Sequence, residues 1–387
     1  MLTIITNGTI LTPNGWITNC SLIFDRGRII RIGRDIEEPR NSKYDQIFDA
    51  QGGYVIPGAI DLHVHGGGGH DFMECSEEAF RAAIKTHMRF GTTAIYPTLS
   101  ASSVEMIERA VAVTERLMAE PDSPIMGLHL EGPYLNPKMA GAQDPQYITP
   151  PIAEDYERIL SQTNVIKRWD VAPELSGALE FGRYLKSKGV LASVAHTEAR
   201  YATISSAVEA GYSHATHFYN AMTTVHKNRE FKHEGTIESI YLMDEMSVEI
   251  IADGIHIPPA VLRMVHKFKG VERTCLVTDA MGCTASDSTT VFDPRVIIED
   301  GVCKLSDRSA LAGSIATMDR LIRTMTREAG VPLEDAVRMA SESPARIMGI
   351  YDRKGLLEEG KDADIVVMTP DLEISAVWAM GRKVENE

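Results

Sequence analysis

The chain has 387 residues, 44% of them hydrophobic and 24% charged, with a formal net charge of −15. That length and apolar content are ample for a large core and exclude an intrinsically disordered chain. The acidic balance argues against non-specific binding to nucleic acid or to an anionic membrane, but leaves room for a small anionic substrate held by local basic groups.

Residues 1–56 contain short β-rich runs, Thr3–Thr6, Ser21–Phe24, Ile29–Ile32 and Ile47–Asp49, punctuated by turn residues and a polar Glu37–Lys43 loop. The C-terminal end has the same character: Ala363–Met368, Ile374–Ala379 and a turn at Gly381. Neither end is long enough to hold a core alone. The expectation is one small β-sandwich domain built from 1–56 plus 349–387, with a catalytic domain over 57–348 inserted between its halves.

The middle of the chain alternates. Strand candidates are Ala59–Val64, Thr92–Pro97, Ile125–Leu130, Lys167–Ala172, Leu191–Ala195, His214–Phe218, Val248–Ala252 and Cys275–Thr278. Between and after them lie amphipathic stretches, Ser76–Phe90, Ser102–Ala119, Glu154–Thr163, Ser176–Lys188, Pro259–Phe268, Ala316–Ala329 and Leu333–Ser341. Ser76 and Ser102, each followed by an acid in the first turn, are placed to cap helices. Eight strand–helix repeats predict an α/β fold, a parallel (β/α)₈ TIM-like barrel. A doubly wound open sheet is the alternative, but no G-x-G-x-x-G follows an early strand.

In such a barrel the chemistry sits at the C-terminal strand ends. His63 and His65 alternate onto the same face of the first strand. Alone they could be two packed core histidines. Further round the rim come Glu131, His196, His217, Asp253 with His256, and Asp279. Histidines and carboxylates from six strands point to a metal site. Imidazole with carboxylate suits zinc, iron(II), manganese or cobalt rather than magnesium or calcium alone. A catalytic ion lowers the pKa of bound water to about 7. Asp279 could then take the proton of the attacking water and pass it to a leaving nitrogen. His129, His214 and His87 read as packing or supporting groups, and His70, His226, His233 and His266 as loop or surface histidines. Asp253 reads either as a support or as a helix cap. Leu311, Ala312 and Gly313, before Ser314, either line a pocket for a small group or form a turn with Ser314 as a cap.

The blocks PGAIDLHVHG, HLEGPYLN, VAHTEA, THFYNAM, IADGIHI, LVTDAM, LAGS and SPARIMGI, closing on GKDADIVV, resemble the amidohydrolase superfamily, and within it the N-acetylglucosamine-6-phosphate deacetylases, over nearly the whole chain. The resemblance implies that Glu131, His196 and His217 bind the principal metal. It implies too that the retained His63 and His65 can hold a second ion, with Glu131 between them, and that Asp279 is the general base and acid. The substrate implied is a phosphorylated acetylamino sugar. Its phosphate would be held by the main chain of Asn220 and Ala221, by His256, and by an arginine lent across a homodimer interface. Arg229 is the candidate for that arginine; a solvated loop charge is the alternative. Gln143 stands where some members of the family place a histidine to polarise the acetyl carbonyl; it can donate a hydrogen bond but cannot carry charge. The galactosamine epimer of the substrate, or an N-acyl-amino-acid or cyclic amide, is the competing assignment. Five scattered cysteines, without a C-x-x-C pair, and the lack of a long apolar run predict a cytoplasmic protein with neither nucleic-acid nor membrane partners.

Overall fold

In the computed structural model, which describes residues 1–34, 44–287 and 291–385, eight segments of the middle of the chain pair as parallel strands. They are Ala59–Val64, Thr92–Leu99, Leu128–Leu130, Ile166–Val171, Leu191–Val194, Tyr212–Ala215, Ser247–Ile251 and Thr274–Val277, each beside its predecessor. Every residue of the first, second, third, seventh and eighth strands is buried. Parallel strands covered on both faces are read in sequence as apolar runs rather than alternations, which is why these segments stood out. The end of the last strand meets the first strand through several hydrogen bonds. Thr278 Oγ1 donates to Asp61 Oδ2 at 2.6 Å, and the Asp279 N–H donates to the His63 carbonyl at 2.9 Å. The result is a nearly closed barrel with all eight C-terminal strand ends on one rim.

Two strands differ from expectation. The third is short, because Gly127 turns the chain at φ +154; Ile125 contributes only an isolated bridge to Ile95. A Cβ at Gly127 would meet the Lys167 side chain at 2.2 Å. The sixth ends at Ala215 rather than Phe218, since His217 adopts a left-handed backbone (φ 28) that no strand accommodates.

The helices expected between strands form as Glu77–Arg89, Val104–Met118, Ala153–Gln162, Ala178–Lys188 and Pro259–Lys269, followed by Met318–Arg327 and Leu333–Ala340. Ser76 caps the first, accepting from the Ala79 N–H at 3.2 Å. The second cap is Ser103, not Ser102: Ser103 is extended and its Oγ accepts from Met106 N–H at 3.3 Å, while Ser102 is buried. Tyr201–Ala210, Thr236–Tyr241 and Glu342–Ile347 are further helices beyond those read from the sequence.

The two ends of the chain fold together into an additional sheet. Thr3–Thr12 pairs with Gly15–Asp25 along one edge; its other edge forks to Gln46–Asp49 and Tyr54–Pro57. Tyr54–Pro57 in turn pairs antiparallel with Ile365–Met368 from the C-terminal end. The expected sandwich is thus one continuous forked sheet with its own core, in which Trp378 meets Phe24 and Phe48 edge-on. Strand alternation divides the labour. Val55, Ile365, Val367 and Trp378 face that small core, while Ile56, Val366, Met368 and Val377 join the main core of the barrel. The Glu37–Lys43 loop lies outside the described residues. Among the described residues, no helix is long and apolar enough to cross a membrane.

Candidate metal centre and catalytic cavity

The rim gathers two triads whose ligand atoms lie within 4.8 Å of one another: His63, His65 and Asp279, and Glu131, His196 and His217. In the first, His63 Nε2 and His65 Nε2 are 3.2 Å apart, and Asp279 Oδ1 is 3.1 Å from His65 Nε2 and 3.4 Å from His63 Nε2. In the second, Glu131 Oε1 lies 3.0 Å from both His196 Nε2 and His217 Nε2. The other oxygen of Glu131 faces the first triad, 3.2 Å from His65 Nε2. One carboxylate therefore spans both groups.

The backbone is bent to achieve this. His196, His217 and Asp279 have φ of 43, 28 and 47. Such conformations cost on the order of 1–3 kcal/mol each in residues other than glycine, and persist where surrounding bonds over-determine them. Here the His196 carbonyl accepts from Asn136 N–H (3.1 Å), the Asp279 carbonyl from Ser314 N–H (2.8 Å), and Glu249 Oε1 accepts from His217 N–H (2.9 Å).

The hydrogen-bond network sets the tautomers. His196 Nδ1 is 2.8 Å from the Met139 carbonyl, which can only accept, so Nδ1 carries the proton. His63 Nδ1 lies 2.7 Å from Glu249 Oε1, with the same consequence. Their Nε2 lone pairs therefore face each triad's carboxylate. Glu131 Oε2 is buried without a hydrogen-bond donor. Acceptors turned on acceptors at 3 Å repel unless a cation lies among them, and imidazole with carboxylate is a donor set for a borderline divalent ion. The residues fit such an ion. Without one, protons take its place. Burial disfavours a charged His65, but the carboxylates of Asp279 and Glu131, which accept from the protonated ring, outweigh it and raise the imidazole to about 10. Burial likewise opposes ionisation of Glu131, yet His63 and its hydrogen-bonded neighbours hold it well below the carboxylate range.

A cavity of about 610 Å³ opens above the triads. Gln143, Asn220, Ala221, His256, Leu311, Ala312 and Gly313 all line it, together with His65, Glu131, His196, His217 and Asp279. His63 lies beneath, fully buried. Gln143 Oε1 accepts from Ala101 N–H at 2.7 Å, which leaves its amide N–H₂ as the group to present. Asp253 supports rather than caps a helix: Oδ2 accepts from His256 Nδ1 (2.8 Å) and Oδ1 from the Ile255 and His256 N–H groups (both 2.9 Å). His256 Nε2 is buried with no hydrogen-bond partner. Gly313, at φ +80, lets the chain pass close to the centre, since a Cβ there would meet the Asp279 carbonyl oxygen at 2.9 Å. Ser314 is not a helix cap; its Oγ donates to the Thr278 carbonyl at 2.6 Å, and the following helix starts after Thr317.

Arg229 is not brought to this cavity. It occupies the turn of a hairpin, His226–Asn228 with Phe231–His233, exposed and with φ 56. His129, His214 and His87 are interior supports, bound to Asp170, Ser247 and the Gly66 carbonyl respectively. His70 and His266 pair with Glu74 and Asp335 near the surface. Lys138 and Arg295 also line the cavity, though nothing local in the sequence marks either. Arg295 is already engaged, by Asp293 and the Ala142 carbonyl. Arg168 and Glu249 are a further charged pair, fully buried inside the barrel. Their signal was present: a charged residue within a buried strand requires a partner.

The amidohydrolase family model matches residues 54–384. The chain is 33% identical over 372 residues to an N-acetylglucosamine-6-phosphate deacetylase of Bacillus subtilis (strain 168), covering 94% of this chain and 92% of that one. It is also 33% identical over 333 residues to an N-acetylgalactosamine-6-phosphate deacetylase of Shewanella sp. (strain ANA-3), covering 85% and 82%. The crystal structure of an N-acetylglucosamine-6-phosphate deacetylase from Pasteurella multocida superposes with a TM-score of 0.93 at 29% identity, over 100% of both chains. Agreement of that extent, in sequence and in backbone, runs through both the barrel and the sheet of the two ends: the chain belongs to the amidohydrolase family, beside its N-acetylglucosamine-6-phosphate deacetylases.

Proposed function

We propose that this chain hydrolyses the acetyl amide of N-acetylglucosamine 6-phosphate to glucosamine 6-phosphate and acetate. The observation that carries the reading is the pair of buried triads, spanned by Glu131, at the floor of a cavity also lined by His256. A bound divalent ion supplies Lewis acidity, polarising the acetyl carbonyl and easing deprotonation of water. Glu131, His196 and His217 would hold one ion, and His63 and His65 a second beside Asp279. Zinc, iron(II), manganese and cobalt all suit the donors.

The remaining chemistry belongs to side chains of the chain. Asp279 receives the proton of the attacking water as the new C–O bond forms. It delivers that proton to the amide nitrogen as the C–N bond breaks. The Gln143 amide N–H₂ donates to the acetyl oxygen, which gains charge in the transition state. Leu311, Ala312 and Gly313 present small groups against the acetyl methyl. At the other end His256, held by Asp253, and the main chain of Asn220 and Ala221 receive the phosphate. Arg229, exposed on its hairpin, would reach the phosphate of a second copy in a homodimer, as a guanidinium fork suits a phosphate dianion. The catalytic unit is then 57–348, with 1–56 and 349–387 as its companion domain. Five free thiols support a reducing, cytoplasmic setting.

The test is steady-state kinetics on N-acetylglucosamine 6-phosphate, its galactosamine epimer and both unphosphorylated sugars, with metal content measured on the same sample. A kcat/KM for the glucosamine substrate above the other three supports the reading. A preference for the galactosamine epimer, or indifference to the phosphate, overturns it.

A further inference from the structure

One carboxylate inside the barrel touches both triads. Glu249 stands in the Ser247–Ile251 strand and is fully buried. Its Oε1 accepts from His63 Nδ1 at 2.7 Å and from the His217 N–H at 2.9 Å. Its Oε2 is paired with Arg168 Nη1 and lies 3.4 Å from His214 Nε2. Arg168, also fully buried, donates further to Asp170 Oδ1 (3.2 Å), Ser193 Oγ (3.1 Å), Thr216 Oγ1 (2.8 Å) and the Leu62 carbonyl (3.3 Å). Placing a carboxylate and a guanidinium in a barrel core is costly in lost solvation, and apolar side chains would pack there at lower cost. The ion pair therefore calls for a reason other than stability.

We infer that Glu249 is a positioning residue shared by the two halves of the metal centre, with Arg168 as its counter-ion; the inference rests on the metal reading of the triads. Its single Oε1 acts on both sides. By holding the proton on His63 Nδ1 it turns the Nε2 lone pair of that ring toward His65 and Asp279. By accepting from the His217 N–H it fixes a backbone at φ 28 and aims the His217 ring at Glu131. Groups that orient a ligand through its far nitrogen typically change metal affinity about 10–100-fold when removed. Here one side chain would do so at two positions.

The experiment titrates metal-free protein with cobalt(II), read by visible absorption and calorimetry, alongside thermal melts. In Glu249→Gln the guanidinium draws the amide oxygen and the N–H₂ turns toward His63, which must then surrender its Nε2 lone pair. The expected result is a loss in cobalt affinity of about 10–100-fold at every position that the wild type fills. Arg168→Met leaves the contacts of Glu249 to His63 and His217 in place. It should lose less cobalt affinity than the about 10–100-fold typical of a lost orienting group, even where its melting temperature falls. Should Glu249→Gln fail to fold, Glu249→Leu/Arg168→Met removes the buried ion pair together with every acceptor facing His63 Nδ1 and the His217 N–H, and carries the same expectation of weakened binding. The inference is overturned if Glu249→Gln binds cobalt as wild type does or weakens one of two positions alone. It is overturned too if Arg168→Met is as impaired as Glu249→Gln, or if the double variant regains wild-type binding. A wild type that takes up no cobalt(II) or other divalent ion would instead remove the metal reading itself.

Discussion

Asp279 is the residue on which the proposed chemistry turns, and its surroundings separate its role from that of a ligand alone. It is buried two residues past the end of the eighth strand, with Oδ1 near His65 and His63, while the Glu131 triad is complete without it. Burial raises its pKa, but His63 and His65 outweigh burial and keep it ionised, as a base must be. Asp279→Asn should therefore lower kcat/KM by about 10²–10⁴-fold while the metal at Glu131, His196 and His217 is retained; kinetics and metal analysis on one preparation check both. Asp253→Asn tests the phosphate end. It replaces the acceptor that holds His256 Nδ1 and leaves the acid–base machinery alone. The KM for the phosphorylated substrate should rise about tenfold, the worth of one good charge-assisted bond, with kcat little changed and the unphosphorylated sugar unaffected.

The elements explain why some of this was legible and some was not. The buried strands announced themselves by apolar runs, and Ser76 by its cap chemistry. Two adjacent serines, Ser102 and Ser103, offered the same chemistry, and only the entry angle of the chain selected Ser103. The sixth strand looked longer because Thr216–Phe218 has strand-like composition, whereas the bond from His217 N–H to Glu249 imposes a turn. Lys269 makes a prediction at this scale. It ends the Pro259–Lys269 helix, and its Nζ donates to the Ile240 and Met243 carbonyls (3.1 and 2.9 Å). Burial, aided by Arg273, lowers its pKa to about 8. Between pH 8 and 10.5 the unfolded chain then binds more protons at this site than the folded one, so this contribution to stability rises with pH across that window. Below pH 8 both states are protonated and the contribution is constant. Denaturant unfolding of wild type and Lys269→Met should shift in favour of the wild type by on the order of 2–3 kcal/mol as pH rises through that range. A pH-independent difference would contradict the lowered pKa.

At the scale of the molecule, the barrel gathers candidate ligands from residues 63 to 279, so the proposed ion binding would be coupled to the integrity of the whole rim. Chelation should lower the melting temperature and abolish activity. Restoring free ion at a hundred times its Kd should recover about 2.7 kcal/mol of stability. Melts and activity after adding zinc, manganese, cobalt or iron(II) in turn check this and rank the ions. The two ends of the chain present a second case of long-range dependence. Tyr54–Pro57 has Ile365–Met368 as its antiparallel neighbour, so the sheet is not completed until the last strands arrive.

The order of side chains along the chain determined the fold class and which side chains are candidate ligands. A period of two puts His63 and His65 on one face, and a barrel presents the residues at its C-terminal strand ends on one rim; both are local rules applied to local residues. Closure decided the rest. Which imidazole nitrogen carries a proton, that one oxygen of Glu249 serves two histidines, that Asp253 steadies His256, and that Arg229 stands away from the cavity of its own chain all depend on distances between segments far apart in sequence. Such distances are set only when eight strands settle into one register, because hydrogen bonds that pick a tautomer or a left-handed backbone are made by atoms that no local pattern brings together.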